Sequence, residues 1–110
     1  MSASELESMI LALNDGREGV RRFATRRLAE IGLEAVPHLI EALKDKHGFT
    51  HDGAVSSLTA IGAPAIPELI ANMNHDDREV RWGVATVLGA LREEGARAAV
   101  DSAMAEAKAS

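Results

Sequence analysis

The sequence predicts an all-α fold, a short right-handed α-solenoid of about three and a half two-helix units, each 30 residues long. Three observations predict it. Residues of like character recur at a step of 30 without gaps: Val20, Thr50 and Val80; Ala24, Ala54 and Val84; Leu28, Leu58 and Leu88; Ile31, Ile61 and Leu91. A second set behaves the same way. Val36, Pro37, Leu39, Ile40 and Leu43 return as Ile66, Pro67, Leu69, Ile70 and Met73, and Leu6, Met9, Ile10 and Leu13 anticipate the set by 30. Both sets step by three and four, the spacing of one helical face. Third, Gly32 and Gly62 follow the first helices, while Pro37 and Pro67 fall in the first turn of the second helices. Glycine suits the residue just past a helix end, and proline costs little where an N–H has no intrahelical partner.

Helices are expected near residues 4–14, 17–31, 35–45, 50–61, 65–74, 77–92 and 95–108. The first opens on Ser4 with Glu7 three residues later, the spacing of a capping box, and carries Leu6, Met9, Ile10 and Leu13. The second opens on Asp15 and Glu18 at the same spacing and carries the stripe Val20, Ala24, Leu28 and Ile31. The third and fifth are the shorter, proline-led helices. The fourth starts at Thr50 and stops before Gly62, and the sixth opens on Asp76 and Glu79. In the seventh, alanine replaces large apolar residues, with Ala99 standing where Leu39 and Leu69 stand. A two-helix unit cannot cover both its faces alone, so the units stack, and an alanine-rich helix suits the end of the stack. The chain is expected to form one domain over residues 1–110, with a half unit at 4–16 and units near 17–46, 47–76 and 77–108.

Composition narrows the function. The 110 residues include no cysteine, so disulfides, thiolate zinc sites, iron–sulfur clusters and cysteine nucleophiles are excluded. A net charge of −5 argues against a broad phosphate-binding surface. No apolar run approaches the roughly 18–20 residues of a membrane-spanning helix. The acidic start MSASELESMI lacks the pattern of a signal peptide, which leads to the expectation of a cytoplasmic protein. Phosphate loops, nucleophile elbows and H-E-x-x-H motifs are all missing, so no catalytic residue and no cofactor is expected.

The pattern V-R-x-x-A-x-x-x-L-x-x-I-G, followed by x-x-A-hydrophobic-P-x-L-I-x-x-L, resembles the HEAT-like repeats named after the phycobilisome lyases. Residues 20–43 match it closely, residues 50–73 match except at Thr50–His51, and residues 80–91 match in the first helix. The resemblance implies that second helices line a concave side and first helices a convex side. It also implies a protein-binding adaptor or scaffold, with a bilin lyase-type subunit as the alternative. Metal-dependent oxidation or nucleic-acid binding come third, since similar repeats occur in di-iron hydroxylases and DNA glycosylases.

Turning the apolar stripes of the second helices inward leaves Glu7, Leu11, His38, Glu41, Glu68 and Ala71 facing out. From this mildly acidic row His38, Glu41, Glu68 and Ala71 are the expected contacts to a protein partner with basic or polar side chains. Trp82, where the other units have Arg22 and Asp52, is the convex candidate, although its ring is expected to fold down partly on a neighbouring helix. Phe23 and Phe49 are read as core or inter-unit packing residues. Asp45, His47, His51 and His75 form a loop cluster of metal-ligating types, in which stacking would bring Asp45 to His75 or His47 to Asp77. Caps and loop bonds are the expected role of these residues, without a metal. Five of the twelve basic residues (Arg17, Arg21, Arg22, Arg26 and Arg27) crowd eleven positions without sharing one wheel face. Arg21 and Arg81 are expected to pair with loop acids such as Asp15, Asp45 or Asp77. Nucleic-acid binding would need a longer basic groove with aromatics, and the chain is expected to be a monomer or weak homodimer.

Overall fold

Seven α-helical segments alternate between two layers. They are α1 (Ala3–Ala12), α2 (Glu18–Ile31), α3 (Val36–Ala42), α4 (Thr50–Ile61), α5 (Ile66–Ala71), α6 (Arg78–Leu91) and α7 (Arg97–Ala109). The computed structural model describes residues 3–109, and no strand occurs among them. Met1, Ser2 and Ser110, part of the expected domain, lie outside the described residues. Helices α2, α4 and α6 pack on one another in sequence, as do α1, α3, α5 and α7, and each layer covers the apolar side of the other. Four helices side by side at the usual spacing of about 8–10 Å span about 40 Å with their side chains. The longest axis is 42 Å and the other two are 26 Å.

The turn between layers is built from the residues that punctuate the sequence. Gly32 and Gly62 take φ of 75° and 81°, which a side chain disfavours, and each returns its N–H to the carbonyl of Leu28 or Leu58. A tight 3₁₀ turn follows, Gly32–Ala35 or Ala63–Ala65, and places Pro37 and Pro67 at the start of α3 and α5. Across this turn α4 and the segment leading into α5 are bent by 109°. The third unit has Arg92 where the others have glycine, so α6 runs on through one wide turn and breaks at Gly95, with φ of 100°.

Helices α3 and α5 are shorter than the 35–45 and 65–74 expected. Their last turns tighten to three-residue bonds, as from Lys44 N to Glu41 O (3.2 Å) and from Asn72 N to Leu69 O (3.0 Å). The capping expectations also shift. Asp15 does not cap α2: its carboxylate accepts from the backbone and guanidinium of Arg17, which is itself the cap residue. Asp77, one residue after the expected Asp76, caps α6 by accepting from Glu79 N (2.8 Å) and Val80 N (3.2 Å). Helix α1 begins at Ala3, so Ser4 lies inside it.

The core follows the 30-residue step. Ala24, Ala54 and Val84, then Leu28, Leu58 and Leu88, are buried in one layer, and Val36 and Ile66, then Leu39 and Leu69, in the other. Val100 of α7, at the position of Ile40 and Ile70, is fully buried, whereas Ala99 faces water. Phe23 is not a core residue, since 56 % of it is exposed, and Phe49 is half open at 46 %.

The junctions between units turn on two leucines. Leu13, at the end of the first half unit, packs against α4 at Gly53, and Leu43, at the end of the next unit, packs against α6 at Gly83. A Cβ on Gly53 would stand 2.9 Å from a Leu13 methyl, and one on Gly83 would stand 2.5 Å from a Leu43 methyl. Both leucines are buried, so they have little room to move aside. Phe23 holds the corresponding position in α2, where no such leucine arrives. Replacing Gly83 with valine should therefore destabilise the stack by about 1–3 kcal/mol through overpacking. Gly89, in the same helix with nothing within 4 Å of a built Cβ, should gain up to about 1 kcal/mol as alanine. Urea unfolding followed by circular dichroism checks both, and equal effects at the two glycines would sink the junction argument.

Candidate protein-binding face

The α1–α3–α5 layer presents the row read from the sequence. His38, Glu41, Glu68 and Ala71 are all exposed. Their surroundings differ. His38 and Glu41 share an open groove of about 440 Å³ between α1 and α3 with Glu7, Ile10 and Leu11. Glu68 lies beside a separate shallow hollow with Leu33, Pro37, Pro64 and Pro67, and Ala71 borders neither. The structure thus gathers the first half of the row and leaves the second half apart. Leu11, with 77 % of its surface in water, is the most exposed large apolar residue among the described residues and stands on the rim of the first groove.

Glu41 is already engaged. Lys44 Nζ lies 2.7 Å from one carboxylate oxygen, and His75 Nε2 lies 3.8 Å from the other. The hydrogen bond from Lys44 is the main reason that the Glu41 carboxyl sits below the usual glutamate value. Lys44 is raised in turn by the same partner. Reasoning along the row missed Lys44 because it is one helical turn beyond Glu41, where an i, i+3 pair is a standing possibility. Glu7 and Glu68 carry no ion pair among the described residues.

The loop cluster does not assemble. Asp45 accepts from the backbone N–H of its neighbour His47 (3.0 Å). His51 Nδ1 donates to the carbonyl of Leu43 (2.8 Å), and His75 Nδ1 accepts from Asp77 N–H (2.9 Å). Instead of meeting Asp45, His75 turns its other nitrogen to Glu41. Among the described residues no group of three or more histidines and carboxylates is placed to hold a metal ion.

The arginines serve loops. Arg21 Nη1 donates to the carbonyl of Asp15 (2.8 Å), and Arg81 Nη1 donates to the carbonyls of His75 (2.7 Å) and Asp76 (2.9 Å). The expected pairing is with these loops, but through backbone carbonyls and not through carboxylates. His51, at the same step of the repeat, does the equivalent work from the middle unit. Arg17 holds Asp15 through a bidentate bond that lowers its carboxyl to about 2. Arg27 bonds Glu5 at 2.9 Å.

The five arginines do not share one face, but three of them come together. Arg21, Arg22 and Arg26 border one open groove of about 570 Å³ between α2 and α4. The Arg21 guanidinium lies 3.9 Å above the Phe49 ring, which explains why Phe49 stays half open. A wheel of α2 alone cannot show this, because α4 supplies the opposite wall. Trp82 does not fold down on a neighbour: 68 % of its surface is exposed, beside Ala85 and Thr86.

A family model for HEAT repeats matches residues 6–77, the stretch that holds most of α1, the whole of α2 to α5 and the turns between them. The chain belongs to the HEAT-repeat family. No curated protein matches it. HEAT repeats generally mediate protein–protein interaction. No single helix is long and apolar enough to cross a membrane among the described residues.

Because its folded carboxyl is depressed, Glu41 should titrate below the ordinary glutamate value of 4.5. What its contacts add to the fold is present above that value and is lost as pH falls through the lowered one. Carboxyl NMR titration should show this midpoint rising towards 4.5 in Lys44→Gln, since Lys44 is the leading cause. An unmoved midpoint would show that the 2.7 Å contact is not kept in solution.

Proposed function

We propose that this HEAT-repeat protein is a non-catalytic adaptor that captures a protein partner on its α1–α3–α5 layer. The stack is taken as right-handed, with that layer on its concave side. One observation carries the reading: the α1–α3 groove joins a nearly bare Leu11 to two carboxylates, Glu7 and Glu41, over a floor that includes Ile10. Contiguous apolar surface rimmed by polar residues is a mark of protein contact, and in this groove Leu11, Ile10 and Ala42 adjoin beside Glu7 and Glu41. The partner's matching feature is an apolar side chain flanked by lysine or arginine. An acidic rim speeds the encounter with such a segment, and the apolar contact sets its lifetime.

A groove this open excludes little water, which suits binding and not chemistry. Capture from source-cell lysate, identified by mass spectrometry, tests the proposal with wild type beside two variants. Leu11→Ser with Glu41→Lys should lose the captured partner at unchanged helicity. Glu68→Lys, beside its separate hollow, should retain most of it. Equal capture by wild type and the Leu11/Glu41 variant would remove this face from consideration.

A further inference from the structure

The α2–α4 groove lies on the opposite layer and is the larger of the two, yet the adaptor reading leaves it unused. It follows α2 from Glu18 to Ala29, about 17 Å at the helical rise, which is room for about five residues of extended peptide. Small residues line it, Ala29, Ser56 and Ala60 among them, and leave it open to an extended backbone. Arg21 is held ready by two contacts, the Asp15 carbonyl and the Phe49 ring. Arg26 has no ion pair or hydrogen bond among the described residues, and Arg22 bonds only the exposed Glu18 on its own helix (3.0 Å).

We infer that this groove is a second docking site, for an acidic peptide segment of a partner protein. Charge complementarity decides the class of occupant. Three guanidiniums face the groove in a chain of net charge −5, so this is a local basic surface on an acidic protein. Glu18 and Asp52 also border it, which disfavours a uniform polyanion such as a nucleic-acid backbone. An irregular peptide can set its carboxylates against Arg22 and Arg26 and its apolar side chains against Phe49. Arginine forks hold carboxylates in two-bonded geometry, and the Arg26 side chain carries no ion pair or hydrogen bond among the described residues.

The test uses a fluorescein-labelled ten-residue peptide of alternating glutamate and alanine, read by fluorescence anisotropy at low salt. Its glutamine counterpart and an oligothymidylate serve as comparison probes. Arg26→Ala should weaken the glutamate peptide about fivefold and the Arg22→Ala/Arg26→Ala pair about tenfold or more, the scale of partly exposed ion pairs. The control Arg97→Ala, remote on α7, should change it less than about twofold, and the glutamine peptide should bind at least about tenfold more weakly. Both groove arginines are exposed, so helicity should be unchanged and loss of binding is not loss of fold. The inference is overturned if wild type fails to bind the glutamate peptide, if the paired variant binds it as well as wild type, or if the oligothymidylate binds as tightly. None of these outcomes bears on the α1–α3 face, which Leu11 and Glu41 test separately.

Discussion

Every other feature of this protein depends on the seating of Leu13 against Gly53 and of Leu43 against Gly83. Each leucine ends a helix of one layer and fills the gap before a later helix of the other, so it couples two units at once. A single two-helix unit has too little interior to be stable, and the folding energy of such arrays resides largely in the interfaces between units. A gap without a Cβ lets the leucine enter fully and brings neighbouring helices to close range. Phe23 at the matching place in α2 is tolerated because no leucine comes from an earlier unit, and it stands in solvent as a result.

The loops are held by a second repeated device, and here residue identity matters less than reach. Arg21 and Arg81 each brace the loop before their own helix by donating to its carbonyls. His51 stands at their position with a shorter side chain and donates to a carbonyl nearer the preceding helix end. The departure of Thr50–His51 from the repeat pattern therefore keeps the bond while changing the donor. The contacts of His51, His75 and Asp45 point to different partners, and among the described residues they do not gather into a group of three or more that could hold a metal ion. Residue types that suggest a metal when read along the chain become loop fasteners in space.

Two faces with opposite electrostatic character result. One groove sets carboxylates around an exposed leucine, and the other sets guanidiniums around a half-exposed phenylalanine. Because the layers point away from each other, a segment lying in one groove does not obstruct the other. The rigid stack fixes their relative orientation, so ordering costs on binding fall mainly on the partner segments.

The layer order, the length of the repeat, the buried stripes and the glycine turns at 32 and 62 are all legible along the chain. All of these are set by periodicity along the chain and by backbone conformations that few residues accept. The sequence also places Leu11 on the outward side of α1 and His38 and Glu41 on the outward side of α3, since the side a residue takes is a property of its own helix. Which of those residues share a groove depends on how the helices pack, because a groove has two walls from segments one repeat apart. That is why Glu68 and Ala71 fall away from His38 and Glu41, why Arg22 and Arg26 join Arg21 across from Phe49, and why Trp82 remains in water. Capping by Asp77 instead of Asp76 belongs with these, for it rests on the path of one loop over its neighbours. Chain periodicity specifies which side of a helix is buried, and packing between helices decides what the other side meets.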